Sequence, residues 1–176
     1  INSIKNNAKF GKGDWTVLEA DESDGSFLKL PINYSIITNI DNEHLDFYKS
    51  FEKLEKSFIK FINKTPPIGK SFICLDDKNI QKIVKKLKTK NYLTYGFNKK
   101  ADFQIFNVKY KLHQTIFDLK IKKINKKKGI LKNIKINLIL IYNVQNTAAA
   151  VSICLKLGLK QNKIKKALSN FSGVQR

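Results

Sequence analysis

Three short apolar runs, at residues 34–40, 71–75 and 92–95, are separated by segments with helical spacing, and this alternation most constrains the fold. Their near-continuous apolar order suits strands buried on both faces. After the first run, Phe51, Leu54, Phe58, Phe61 and Ile62 recur as a single helical stripe, with Ser50 placed to act as N-cap. Thr65-Pro-Pro-Ile-Gly69 breaks that helix, and Asp77 can cap a second one running through Leu87. Strand, helix, strand, helix, strand predicts an α/β fold with a mostly parallel sheet flanked by helices. A further strand is expected at residues 15–19, ahead of the others.

The pattern changes after Gly96. Residues 101–110, 113–123 and 129–141 alternate apolar and polar side chains with no helix between them, which predicts a small antiparallel three-stranded meander, with residues 126–128 at a hairpin turn. From Asn143 the spacing is helical again: Val144, Ala148, Val151, Cys154 and Leu155 share a face, Gly158 ends the helix, and Asn162 opens a last one through Phe171.

Length and charge bound the function. A chain of 176 residues can enclose one ordinary core. The formal charge of +20 raises nucleic-acid binding as a reading. Arg176 is the only arginine, however, and arginine supplies the bidentate forks that read phosphate and guanine. The lysines are scattered, no aromatic stripe interleaves with them, and they read as a solvated surface rather than a nucleic-acid interface. No apolar run is long enough to span a bilayer and no leader-like segment is present, so a soluble cytoplasmic chain with no membrane partner is expected. Cys74 and Cys154 lack a CxxC context and are expected as two buried free thiols. The absence of methionine, even at position 1, suggests a piece of a longer protein.

Against the lysine background, eight of the fourteen carboxylates fall between positions 14 and 46. Such crowding asks for a cation. Glu19 directly follows the first apolar run, the position from which a strand end presents a Mg²⁺ ligand, although carboxylates there are often merely solvated. Asp21, Glu22 and Asp24 read as loop charges. His44, between Glu43 and Asp46, is open to three roles: metal ligand, acid/base, or surface histidine, which its spacing favours. Gly69-Lys70-Ser71 matches the end of a phosphate-loop pattern, but Lys64 stands where the first glycine is required and a strand follows instead of a helix.

The residues then become specific. Glu19-Ala-Asp-Glu-Ser-Asp24 with Ser26-Phe-Leu28, Thr38-Asn-Ile40, and Glu43-His-Leu-Asp46 with Tyr48 closely resemble the Mur ligase family. The likeness continues through Tyr95-Gly96, Asn143-Val-x-Asn146-x-Ala148 and Phe171-x-Gly173-Val-x-Arg176, and so covers essentially the whole chain. Within the family it is most similar to members that join L-alanine to UDP-N-acetylmuramate. The resemblance implies that ATP phosphorylates the lactyl carboxylate and that the amine of L-alanine attacks the acyl phosphate. It also implies that Glu19 and His44 serve Mg²⁺, that Asn143 and Asn146 hold the adenine end of ATP, and that Arg176 contacts the nucleotide. Asp21, Glu22 and Ser23 would border the muramyl substrate.

Departures accompany the match. The family's phosphate loop and its outer domains, one binding UDP and one the amino acid, are not in these 176 residues, so 1–176 reads as a partial central domain with an antiparallel sub-sheet at about 101–141. Without the phosphate-loop strand, the isolated piece is expected to be poorly stable and inactive. The usual Gly-x-His-Asn is Leu140-Ile-Tyr142-Asn143 here, which also admits a degenerate homologue that keeps the fold without the activity. Phe58 stands where several relatives carbamylate a lysine, and no carbamate is expected.

Overall fold

The computed structural model describes residues 11–124, 127–171 and 173. Six strands form one sheet in sequence order: β1 (Tyr34–Ile37), β2 (Lys70–Cys74), β3 (Tyr92–Gly96), β4 (Phe103–Lys111), β5 (Gln114–Ile124) and β6 (Lys127–Ile136). The pairs β1–β2, β2–β3 and β3–β4 are parallel, and β4–β5 and β5–β6 are antiparallel. Five α-helices accompany the sheet among the described residues: α1 (Leu45–Tyr48), α2 (Phe51–Asn63), α3 (Lys78–Val84), α4 (Ile141–Lys156) and α5 (Gln161–Ser169). None is long and apolar enough to cross a membrane.

The expected crossover helices form for the expected local reasons. Ser50 accepts the Lys53 N–H at 3.3 Å and Asp77 accepts the Ile80 N–H at 2.7 Å, each satisfying an otherwise orphaned first-turn donor. The α2 stripe is buried at Leu54, Phe58, Phe61 and Ile62, with Phe58 and Phe61 stacked on Phe27 at 5.4 and 4.9 Å. Phe58 is thus core. Glu55 of α2 pairs with Lys86, just beyond α3, at 2.7 Å. α4 packs across β2, β3, β4 and β5, and α5 packs on β6.

Several boundaries differ from the sequence reading. Residues 15–19 are not a strand: Trp15, Val17 and Leu18 are exposed, and Trp15 meets β1 edge-on to Tyr34 at 5.6 Å. Strand structure needs a hydrogen-bonded neighbour, and a short, mostly apolar run does not specify one. The three-stranded antiparallel meander forms as expected, and the pairing of Tyr95 and Gly96 with Phe103 and Gln104 joins it to the parallel strands. Its last strand stops at Ile136, and Ile141 opens α4 instead of closing β6. The run Ile139-Leu140-Ile141 is apolar throughout and carries no period to separate strand from helix. Gly158 ends α4 with φ 83°, the Leu159 N–H reaching Cys154 O at 3.0 Å. Of the expected hairpin turn at 126–128, Lys126 lies outside the described residues, and Lys127 and Lys128 already belong to β6. Cys74 is buried, whereas Cys154 is only half-buried.

The antiparallel strands are shaped around Asp118. Register shifts fall between Phe106 and Lys109 on β4 and between Phe117 and Leu119 on β5. Asn107 and Asn133 there adopt left-handed φ of 51° and 55°. Asp118 accepts from the Asn107 amide at 3.0 Å and from the Asn133 N–H at 2.8 Å. Partial burial pulls its carboxyl upward, but these donors and the charges of Lys132 and Lys109 outweigh that and hold it below the usual carboxylate range. A depressed folded value stabilises above the unfolded value, and the benefit disappears as pH falls through the folded one. Asp118→Ala is therefore expected to cost about 1 kcal/mol near neutral pH. In urea melts the gap to wild type should close on acidification; a gap independent of pH would contradict this.

Candidate functional site

The parallel strands run in one direction, and their carboxyl ends open onto a cavity of about 500 Å³. Thr38, Asn39 and Asp41 enter it from the segment after β1, Cys74, Asp76 and Asp77 from the end of β2, and Tyr95 from β3. Tyr142, Gln145 and Asn146 close it from the first turns of α4. Ligands of open α/β sheets bind at this end of the strands, and the volume is that of a small-molecule site.

The rim after β1 is tied by a short polar chain, Thr38 Oγ1 to Asn39 Oδ1 at 2.9 Å and Asn39 Nδ2 to Asp41 Oδ2 at 2.7 Å. At the floor, burial pushes both the Tyr95 hydroxyl and the Cys74 thiol up, so both stay neutral. The Tyr95 hydroxyl donates to Ile37 O at 3.3 Å. Tyr142 is half exposed and offers its ring to the cavity. Amides, hydroxyls and an aromatic face suit a flat, polar-edged ligand such as a nucleobase.

A second locus joins the acidic loop to α1. Gly25, at φ 71°, turns the chain so closely over Phe47 that an added Cβ would lie 3.2 Å from its ring. The Tyr48 hydroxyl donates to Glu22 O and pins the loop. His44 Nε2 then lies 3.6 Å from Glu22 Oε1 and 3.9 Å from Glu43 Oε2. The Asp21 carboxyl is held low by the Ser23 backbone N–H (2.8 Å) and hydroxyl, and by the nearby His44.

Of the residues singled out in the sequence, Asn146 lines the cavity, and Asn143 sits one turn earlier on the same helix, half-buried. Asp21, Glu22, Ser23 and His44 come together at the loop. Glu19 lies on the same segment, exposed, at the end of an extended stretch and not of a strand. Arg176 lies outside the described residues. Among the described residues no three His, Cys, Asp or Glu side chains assemble a metal-holding group. Magnesium in phosphoryl transfer takes one or two protein carboxylates plus phosphate oxygens and water, so the Glu19 carboxylate fits its donor needs in kind, and the His44 imidazole would be an unusual second ligand.

The sequence reading missed Asp76 and Gln145. The signal for Asp76 was available, an acid directly after a buried strand, but its neighbour's capping role drew the attention. Gln145, between two asparagines, carries no pattern of its own.

The sequence comparisons agree with this architecture. Residues 3–154 match the Mur ligase middle domain, and the chain belongs to that family. Over 176 residues it is 52% identical to the UDP-N-acetylmuramate–L-alanine ligase of Pelagibacter ubique (strain HTCC1062), covering 100% of this chain and 38% of that one. The chain thus spans well under half the length of the curated relatives it matches. In fold it is similar to the UDP-N-acetylmuramate–alanine ligase MurC of Thermotoga maritima, with TM-score 0.71 at 24% identity, covering 89% of this chain and 33% of that one. The MurF ligase of Thermotoga maritima in complex with ADP gives TM-score 0.64 at 18% identity, covering 85% of this chain and 33% of that one.

Proposed function

We propose that this chain is the nucleotide-handling part of an enzyme that joins L-alanine to UDP-N-acetylmuramate with ATP, in the cytoplasm, during peptidoglycan precursor synthesis. The observation that carries the reading is the cavity at the strand ends, closed by Asn146 and Tyr142 of α4; the 52% identical ligase supplies the substrate class. In the proposed reaction the lactyl carboxylate attacks the γ-phosphorus of ATP and ADP leaves. The alanine amine then attacks the acyl phosphate, phosphate leaves, and an amide bond forms.

Each residue takes a defined part. Asn143 and Asn146 hold the adenine edge, Tyr142 lies against the base, and Arg176 contacts the nucleotide. Glu19 and His44 hold Mg²⁺, and Asp21, Glu22 and Ser23 border the muramyl group. Bound there, Mg²⁺ would supply the charge neutralisation that phosphoryl transfer needs. The 176 residues contain no complete G-x-x-x-x-G-K-[ST] loop, so ATP turnover by this chain alone is expected to be absent.

The test is phosphate release by a complete ligase carrying this domain, with ATP and UDP-N-acetylmuramate, with and without L-alanine. Release that depends on L-alanine is the expected result. Release indifferent to L-alanine would overturn the substrate assignment. No release, together with a gel shift that weakens steeply with salt, would favour the lysine-rich nucleic-acid reading. A degenerate homologue would show neither.

A further inference from the structure

We propose that Asp76 and Gln145 act as a strut that sets the pose of the nucleotide-binding turn of α4, making both positioning residues for ATP. The proposal rests on the reading of the strand-end cavity as a nucleotide site.

Three donors from two separate segments converge on the Asp76 carboxylate. Its Oδ1 accepts the Asn98 N–H at 2.9 Å, and its Oδ2 accepts the Phe97 N–H at 2.9 Å and the Gln145 Nε2–H at 2.7 Å. Gly96, at φ 139°, makes this possible: an added Cβ would lie 2.6 Å from both carboxylate oxygens. The neighbouring Leu75 carbonyl accepts from the Gln81 amide at 2.9 Å, so the end of β2 that carries Asp76 is itself braced. One acid therefore ties the end of β2, the turn between β3 and β4, and the start of α4.

The chemistry requires an acid at this position. All three partners are donors, and a carboxylate accepts without donating. An asparagine would turn an N–H toward another N–H. Hydrogen bonds to a charged acceptor are roughly twice as strong as neutral ones, and this carboxylate is half-buried.

What the strut holds gives it its role. Leu140, at the N-cap position of α4, makes no side-chain cap hydrogen bond, so the start of the helix is not fixed locally. Among the described residues, Gln145 supplies the side-chain hydrogen bonds that tie the first two turns of α4 to the sheet. Tyr142 and Asn146, three residues before and one after it, both line the cavity. Releasing Gln145 would leave the packing of Val144 and Ala148 intact while freeing the turn to rotate about it.

The experiment uses a complete ligase carrying this domain and three variants: Gln145→Met, Asp76→Asn and the double substitution. Steady-state kinetics with ATP and L-alanine are read alongside amide exchange at Phe97 and Asn98 without nucleotide. Gln145→Met should raise the KM for ATP about tenfold, the scale of one charged hydrogen bond. It should leave kcat and the KM for L-alanine within about twofold and exchange unchanged, because Asp76 keeps both backbone partners. Asp76→Asn should raise the KM for ATP and also speed exchange at Phe97 and Asn98. The double variant should be no worse than the worse single one, since both break the same link. An unchanged KM for ATP in Gln145→Met, or additive effects in the double variant, would overturn the strut. A wild-type enzyme with no affinity for adenine nucleotides would instead overturn the reading of the cavity, and this proposal with it.

Discussion

Glu19→Ala in a complete ligase carrying this domain is expected to cut L-alanine-dependent phosphate release by about 10²–10³-fold, the usual cost of removing one group that stabilises transition-state charge. Its effect on stability should be small, within about 0.5 kcal/mol, as for an exposed position away from special contacts. Glu19 is exposed and makes no hydrogen bond or ion pair among the described residues. The contrast between lost turnover and unchanged melting is the diagnostic. Asp24→Ala serves as control, because Asp24 is equally exposed but its partners are local, the Ser26 hydroxyl and the Ser26 N–H at 2.8 Å. If Glu19→Ala keeps wild-type release, Glu19 has no part in the mechanism. If both variants fail equally, the loop matters as a charged surface and not through one carboxylate.

Gly69→Ala should be the most damaging single substitution in the scaffold, destabilising by more than about 4 kcal/mol, a range reserved for severe steric or polar faults. An added Cβ would lie 1.6 Å from Asn33 O and 2.7 Å from its carbonyl carbon. Both are backbone atoms, with no side chain to swing aside. The same Asn33 carbonyl accepts the Lys70 N–H at 3.2 Å, the contact that brings the start of β2 against the segment leading into β1. Relief requires parting two strands whose registers run from Tyr34 with Lys70 to Ile37 with Ile73. Chemical denaturation of wild type and variant measures the loss directly. A shift below about 1 kcal/mol would mean that the strands slide apart cheaply. The phosphate-loop look-alike at residues 69–71 thus has a structural explanation, a glycine required by close backbone approach.

What was legible in the sequence was local. Ser50 and Asp77 announce their helices because a cap binds an amide three residues on, and both do so. The α2 stripe and the alternation of the meander declare which face is buried. Pairing between distant segments was not legible: residues 15–18 have a strand's composition, yet they form no strand. Nor was the end of β6, where apolar residues continue into α4 without a change of period. In the site, acid crowding against lysine pointed to the loop that meets His44, and the Asn143–Asn146 spacing pointed to α4. The link from Asp76 to Gln145 spans 69 residues and depends on a turn that only the folded sheet creates.

The parallel pairing of Tyr95 and Gly96 with Phe103 and Gln104 has a thermodynamic consequence. It makes the antiparallel ribbon an extension of the parallel strands and not an appendage, with α4 laid across the joint from β2 to β5. The ribbon cannot fray without exposing the underside of the helix that carries Tyr142 and Asn146, so both halves belong to one cooperative unit. Loosening Phe103, at the joint, or Leu119, on the middle strand of the ribbon, should therefore be felt as weaker grip on a ligand at the first turns of α4.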